Sequence, residues 1–241
     1  MTTDQIAIRR GGERGYADHG WLKSFHSFSF GDYHDPNHMG FRSLRVINQD
    51  RVTPGMGFPT HPHRNMEIFS YVLEGSLQHK DSMGNGRVLT PGQIQLMSAG
   101  SGITHSEYNP SDHEGLHFLQ IWIRPSENNL EPSYTEWHPD ENSADDGKVL
   151  VISPDGSEGS ARINQDARVY RIRLEAGQET SHTLPPGRGL WLQVVRGSVQ
   201  LNGQHMDQGD GASSEVPGHF SIRPVGGDDN GPAEALLFEL G

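Results

Sequence analysis

Residues 55–67 read GMGFPTHPHRNME and residues 99–109 read AGSGITHSEYN. Each carries two metal-ligating side chains at spacing i, i+2: His61 and His63 in the first, His105 and Glu107 in the second. Along an extended strand a residue two positions on returns to the same face, so each pair points one way. If the two segments are neighbours in one sheet or barrel, three imidazoles and one carboxylate converge on a point. That donor set suits a first-row transition metal. Pro62, between the two histidines, has no backbone N–H to give to a ladder, which places its segment at a strand start or a sheet edge.

The surrounding sequence reads as short strands between tight turns. Thirty Gly and fifteen Pro are spread along 241 residues, a distribution that favours an all-β protein. LRVINQDRV (44–52) is a strand followed by the turn TPGMG. MEIFSYVLEGSLQH (66–79) reads as a hairpin turning at Glu74-Gly75, GNG at 84–86 is a further turn, and LHFLQIWI (116–123) alternates over eight residues. Upstream, FHSFSF (25–30) has period two, with its aromatic side facing core or a pocket wall; Phe69 and Tyr71 are open to the same two readings. His19, His26, His34 and His38 form no i, i+2 pair and stay outside the ligand set. No convincing amphipathic helix occurs in this half.

Charge and composition narrow the function classes. With 31 acidic against 19 basic residues the formal charge is −12, which repels nucleic acid in the absence of a basic patch, so no direct nucleic-acid contact is expected. The acidic runs at 140–146 and 227–230 read as solvated loops. Absence of cysteine excludes disulfides, thiolate ligands and a Cys nucleophile, leaving N and O donors for any metal. The N-terminus lacks the apolar core of a signal peptide and no 18-residue apolar run is present, so a cytoplasmic protein without membrane contact is expected.

Residues 126–148 turn polar and acidic, and the sequence divides there: an N-terminal domain at 1–130, a linker at 131–148 and a C-terminal domain at 149–241. The second half repeats the first. Gly177 stands where Gly55 stands, WLQVVRGSVQ where FSYVLEGSLQ stands, and QGDG (208–211) where TPGQ stands. Its ligands are missing: His182 has no histidine two residues away, and nothing near 219–223 reproduces HSE. One metal per chain is expected.

Gly55, His61, His63 and Glu67 match the first cupin motif in spacing, and Gly92, His105 and Asn109 resemble the second. More specifically, HGWL, FSFGDYHDP, MGFRSLRVINQD, HPHRNMEI, YVLEGSLQHKDSMGN, MSAGSGITHSEYNP and LQIWIRP resemble the pirin family of bicupins, and its bacterial quercetinase-like members above all. The resemblance implies two stacked jelly-roll β-barrels in one chain, with a single mononuclear metal held in the first by His61, His63, His105 and Glu107. General cupins take the carboxylate from the first motif, which would select Glu67. Pirin-like proteins place it two residues after the second-motif histidine, and strict alternation from His105 also favours Glu107, leaving Glu67 a hydrogen bond to a ligand. Four protein ligands on an octahedral ion leave two positions open, an arrangement suited to chemistry rather than to a closed structural site.

The implied activity is quercetin 2,3-dioxygenase: a flavonol bound through its 3-hydroxyl is deprotonated, with Glu107 as the base, and cleaved by O₂ with release of carbon monoxide. Iron(II) is the first expectation for the ion, with Ni, Cu, Mn, Co or Zn as alternatives. A monomer is expected. The competing reading is a non-enzymatic, metal-dependent regulator that binds protein partners, as pirins of animals are described.

Overall fold

The computed structural model describes residues 6–139, 146–226 and 231–241. The acidic run at 227–230 lies outside them, as does that at 140–146 apart from Asp146. The Asp146 carboxylate accepts hydrogen bonds from the Lys148 N–H and the Thr180 hydroxyl.

Short strands account for almost all the regular secondary structure of the described chain. In order they are β1 (Ala7–Arg9), β2 (Gly15–Asp18), β3 (Leu22–His26), β4 (Leu44–Val52), β5 (Gly57–His63), β6 (Glu67–Glu74), β7 (Leu77–Asp81), β8 (Gly86–Leu89), β9 (Ile94–Ser98), β10 (Ile103–Tyr108), β11 (Leu116–Ile123) and β12 (Ser133–Trp137). The second half continues with β13 (Lys148–Ser153), β14 (Ala161–Arg162), β15 (Ala167–Leu174), β16 (Thr180–Leu184), β17 (Gly189–Arg196), β18 (Ser198–Leu201), β19 (Gln204–Asp207), β20 (Gly211–Ser214), β21 (Gly218–Val225) and β22 (Ala233–Leu240). Helical structure among the described residues is limited to 3-10 turns at Gly11–Glu13 and Ser157–Gly159. None of it is long and apolar enough to cross a membrane.

The chain forms two compact units. The N-terminal unit has a seven-stranded sheet in the order β12-β9-β6-β11-β4-β3-β2 and a four-stranded sheet in the order β5-β10-β7-β8. The C-terminal unit repeats the plan, with β20-β17-β22-β15 where the first unit has β9-β6-β11-β4, and β16-β21-β18-β19 where it has β5-β10-β7-β8. An all-β bicupin is thus what the alternating strands and the internal repeat produce. Strand β12, which falls inside the polar stretch read as a linker, pairs along β9 in the N-terminal unit. Strand β1 pairs with β20 and is counted with the C-terminal unit, while Pro154–Gln165 belongs to the N-terminal one.

Two local expectations are corrected. Glu74-Gly75 does not close a hairpin: β6 lies between β9 and β11, whereas β7 pairs with β10 and β8. The chain changes sheets here, and Gly75 permits the corner because its φ is 74° and an added Cβ would strike the Gly115 carbonyl oxygen. Two-residue periodicity marks strands but not partners, so it could not separate a hairpin from a sheet switch. FHSFSF is strand only as far as His26. Beyond it Phe28 is buried in the core, and Phe30 forms part of a cavity wall.

The interior of the two units differs. In the C-terminal unit one continuous apolar cluster runs from Ile172 through Leu192, Leu201, Phe220 and Ile222 to Leu237. In the N-terminal unit one apolar cluster centres on Val72, Leu116 and Phe118 and another on Ile68, Met97 and Ile103, with Ile47, Phe69, Tyr71 and Ile121 buried outside both. On β6 and β11 the inward rows Val72–Phe118 and Ile68–Trp122 flank the pair Ser70–Gln120.

Candidate metal centre and its cavity

Strands β5 and β10 are antiparallel neighbours, and their register sets His105 directly across from His61 and Ile103 across from His63. Strand β5 is the sheet edge, so Pro62 removes no ladder bond on its outer side. The register shifts between His105 and Glu107, which pairs with Phe58. At this bulge the backbones close on Gly57, where an added Cβ would collide with the Glu107 carbonyl oxygen. Side-chain alternation along β10 is kept, and His105 and Glu107 both point inward and are buried.

One nitrogen from each of His61, His63 and His105 lies within 4.8 Å of the others. The Nε2 atoms of His61 and His105 are 3.1 Å apart, and the His61 Nδ1–H donates to the Pro59 carbonyl at 2.8 Å, which leaves Nε2 as the lone-pair nitrogen. Two imidazoles each about 2.1 Å from one ion place their nitrogens about 3.0–3.4 Å apart. Burial, followed by the neighbouring imidazoles, lowers the His105 pKa to about 3; burial, then His105 and His61, lowers that of His63 to about 4. At neutral pH both rings are uncharged and offer lone pairs, so the donor set fits a divalent transition ion.

Glu107 belongs to a second, overlapping group in which it lies within 4.8 Å of His105 and His79. Both of its oxygens are hydrogen-bonded, and Oε2, which accepts once, keeps a lone pair. Oε1 accepts from the Ser70 hydroxyl at 2.8 Å and the Gln95 amide at 3.0 Å, and Oε2 accepts from the Gln120 amide at 2.5 Å. These three donors lie in one line across the large sheet, where the cross-strand register runs His26–Asn48–Gln120–Ser70–Gln95–Glu136 over β3, β4, β11, β6, β9 and β12. Glu67, the alternative carboxylate, is also buried but makes no hydrogen bond to a candidate ligand. It accepts from Ser98 at 2.7 Å and from the Asn164 N–H at 3.2 Å, and burial raises its pKa. Phe69 and Tyr71, fully buried on the same face of β6 as Glu67, are core residues and not walls of the cavity.

Two features were not read from the sequence. His79, fully buried on β7, pairs across β10 with Glu107. Its Nε2 lies 3.2 Å from Asp81, its ring stacks on Tyr134, and its Nδ1 is enclosed without a hydrogen-bond partner. The donors Ser70, Gln95 and Gln120 are the other. Their signal was a buried polar residue within each of three largely apolar strands.

A cavity of about 660 Å³ opens onto the cluster and is lined by His61, His63 and Glu107. Its walls are largely aromatic, formed by Tyr16, Trp21, Phe30, Tyr33, Phe58 and Trp122, and the Trp122 ring meets His63 edge-on with centroids 5.0 Å apart. This volume falls within the range of sites that enclose drug-sized molecules. His26, which the sequence reading set aside, also lines the cavity, while His38 is paired with Asp35.

Comparison with known proteins accords with this architecture. Residues 8–123 match the Pirin family and residues 150–240 a family described as the quercetinase C-terminal cupin domain. A curated protein of Escherichia coli K12 named quercetin 2,3-dioxygenase is 47% identical over 235 residues, covering 98% of both chains. A pirin-like protein of Caulobacter vibrioides is 42% identical and covers 82% of this chain and 85% of its own. Among solved structures, the E. coli pirin YhhW in complex with nickel(II) superposes with a TM-score of 0.89 at 46% identity, covering 98% of each chain. The chain thus belongs to the pirin family, as a bicupin of its quercetinase-like group.

Proposed function

We propose that this protein is a metal-dependent dioxygenase that cleaves flavonols with O₂ and releases carbon monoxide. The observation that carries the reading is a pair of overlapping donor groups, His61/His63/His105 and His79/His105/Glu107, beside an aromatic cavity large enough for a three-ring ligand. His61, His63, His105 and Glu107 would hold one divalent ion. When bound, such an ion supplies Lewis acidity that lowers the pKa of a coordinated hydroxyl, and, if redox-active, a route to O₂. The name of the E. coli relative favours a flavonol substrate, and the nickel(II) complex of YhhW favours a divalent ion.

Within this site the protein orients and moves a proton. Ser70, Gln95 and Gln120 fix the Glu107 carboxylate by three hydrogen bonds, so that it meets a substrate hydroxyl in one orientation and serves as its base. The aromatic walls exclude water from the reacting ring and hold it flat. Anaerobic purification, elemental analysis and metal-by-metal reconstitution, iron and nickel first, test the reading. The expected result is carbon monoxide release equal to flavonol loss in at least one loaded form and none in the metal-free form. Turnover without metal, or none with any metal, would contradict it.

A further inference from the structure

The cavity has a polar end that the reaction does not call for. On β3 and β4, beyond Gln120 in the sheet order, Ser24 stands across from Asp50 and His26 across from Asn48. All four side chains are buried, and all line the cavity. Among them the Ser24 hydroxyl donates to Asp50 Oδ1, His26 Nδ1 meets Asn48 Oδ1 at 2.8 Å, and Ser24 Oγ lies 3.4 Å from His26 Nδ1. These bonds leave the Asn48 amide N–H groups and Asp50 Oδ2 without a protein partner among the described residues, and neither atom is sealed off. One donor and one carboxyl oxygen therefore face the cavity side by side.

The fold does not need polar groups there. In the repeated register of the C-terminal unit Tyr170 pairs with Leu237 as Asn48 pairs with Gln120, and Ile172 pairs with Ala235 as Asp50 pairs with Phe118. Ile172 is a core residue and Tyr170 packs against that core. Burying an amide and a carboxyl costs free energy unless partners are supplied. Burial, with Glu107's charge adding and the Ser24 hydrogen bond opposing, raises the Asp50 pKa to about 7. A ligand supplying the missing partners would offset that cost.

We propose that Asn48 and Asp50 form a subsite for a phenolic hydroxyl on a ring of the substrate other than the one carrying the hydroxyl that meets the metal cluster. The Asn48 N–H donates to the phenol oxygen, Asp50 takes its proton in a hydrogen bond, and the flanking Tyr33 and Phe30 hold the ring. The inference rests on the flavonol reading and deepens it from flavonols in general to those hydroxylated on a second ring.

The test is anaerobic binding, followed by absorbance, of metal-loaded protein with 3-hydroxyflavone and its 4′-hydroxy and 7-hydroxy derivatives. One derivative should bind at least about tenfold more tightly than 3-hydroxyflavone, since a site built to hydrogen-bond a hydroxyl discriminates against its absence. Asn48→Leu and Asp50→Asn should each shrink that ratio to below about threefold. Equal binding of all three compounds, or a ratio that survives both substitutions, overturns the subsite alone. Failure of every flavonol to bind the loaded wild-type protein overturns the flavonol reading and the subsite with it. Because the ligand series is run on the wild-type chain, a variant that misfolds does not remove the test.

Discussion

The two units share one strand plan and differ in what lies along a single register line. In the N-terminal unit that line reads Asn48–Gln120–Ser70–Gln95; in the C-terminal unit the corresponding line reads Tyr170–Leu237–Leu192–Ala212. The facing sheet differs in the same way. His61 pairs with His105, and Glu107 with His79, in the first unit; His182 pairs with Phe220, and Ile222 with Leu201, in the second. Phe220, Ile222 and Leu201 are core residues there, and His182 Nε2 lies 2.9 Å from a Glu239 carboxylate oxygen. A jelly roll is therefore stable with this line either apolar or polar. The first unit gives up apolar side chains along this line to hold a carboxylate, imidazoles and a cavity.

Substitutions at paired positions sharpen this contrast. The largest effect is expected at His105→Ala, which should abolish metal retention and flavonol turnover, both measured on the same preparation. Its counterpart Phe220→Ala should cost about 3–5 kcal/mol of stability in denaturant unfolding and leave metal per folded chain unchanged. Next is Glu107→Gln, expected to lower kcat by about 10²–10⁴-fold through loss of the base. Ser70→Leu writes the Leu192 side chain into the first unit and removes a donor from Glu107; metal affinity should fall by about 10–100-fold in competition titration.

The smallest effect concerns pH. The Asp50 pKa is raised from 3.8 to about 7 in the folded chain, so its contribution to stability is fully present below about pH 4 and is lost as pH rises through 7. Metal-free Asp50→Asn should lack this slope and gain on the order of 5 °C in Tm relative to wild type above pH 7. Parallel pH profiles for the two chains would remove Asp50 from the comparison.

The grouping of the three imidazoles was legible because it is local: His61/His63 and His105 need only alternation, and one cross-strand pairing sets His105 across from His61. The internal repeat likewise foretold a second unit with the same strand order. His79 was not read: it shares the i, i+2 spacing with Asp81, but it lies 26 residues from His105 and reaches the cluster only through the β7–β10 register, which is long-range. The Glu107 donors were hidden for the same reason, since Ser70, Gln95 and Gln120 each look like a tolerated polar residue until β9, β6 and β11 are laid in register. Turn chemistry at Glu74-Gly75 could not say which sheet the next strand would join.

Metal stoichiometry by elemental analysis tests the central contrast most directly, on wild type, His105→Ala and His182→Ala loaded with one divalent ion and dialysed. One ion per chain in wild type and in His182→Ala, with none in His105→Ala, is the expected result. Two ions in wild type, or an ion retained by His105→Ala and lost from His182→Ala, would contradict a single metal centre in the N-terminal unit.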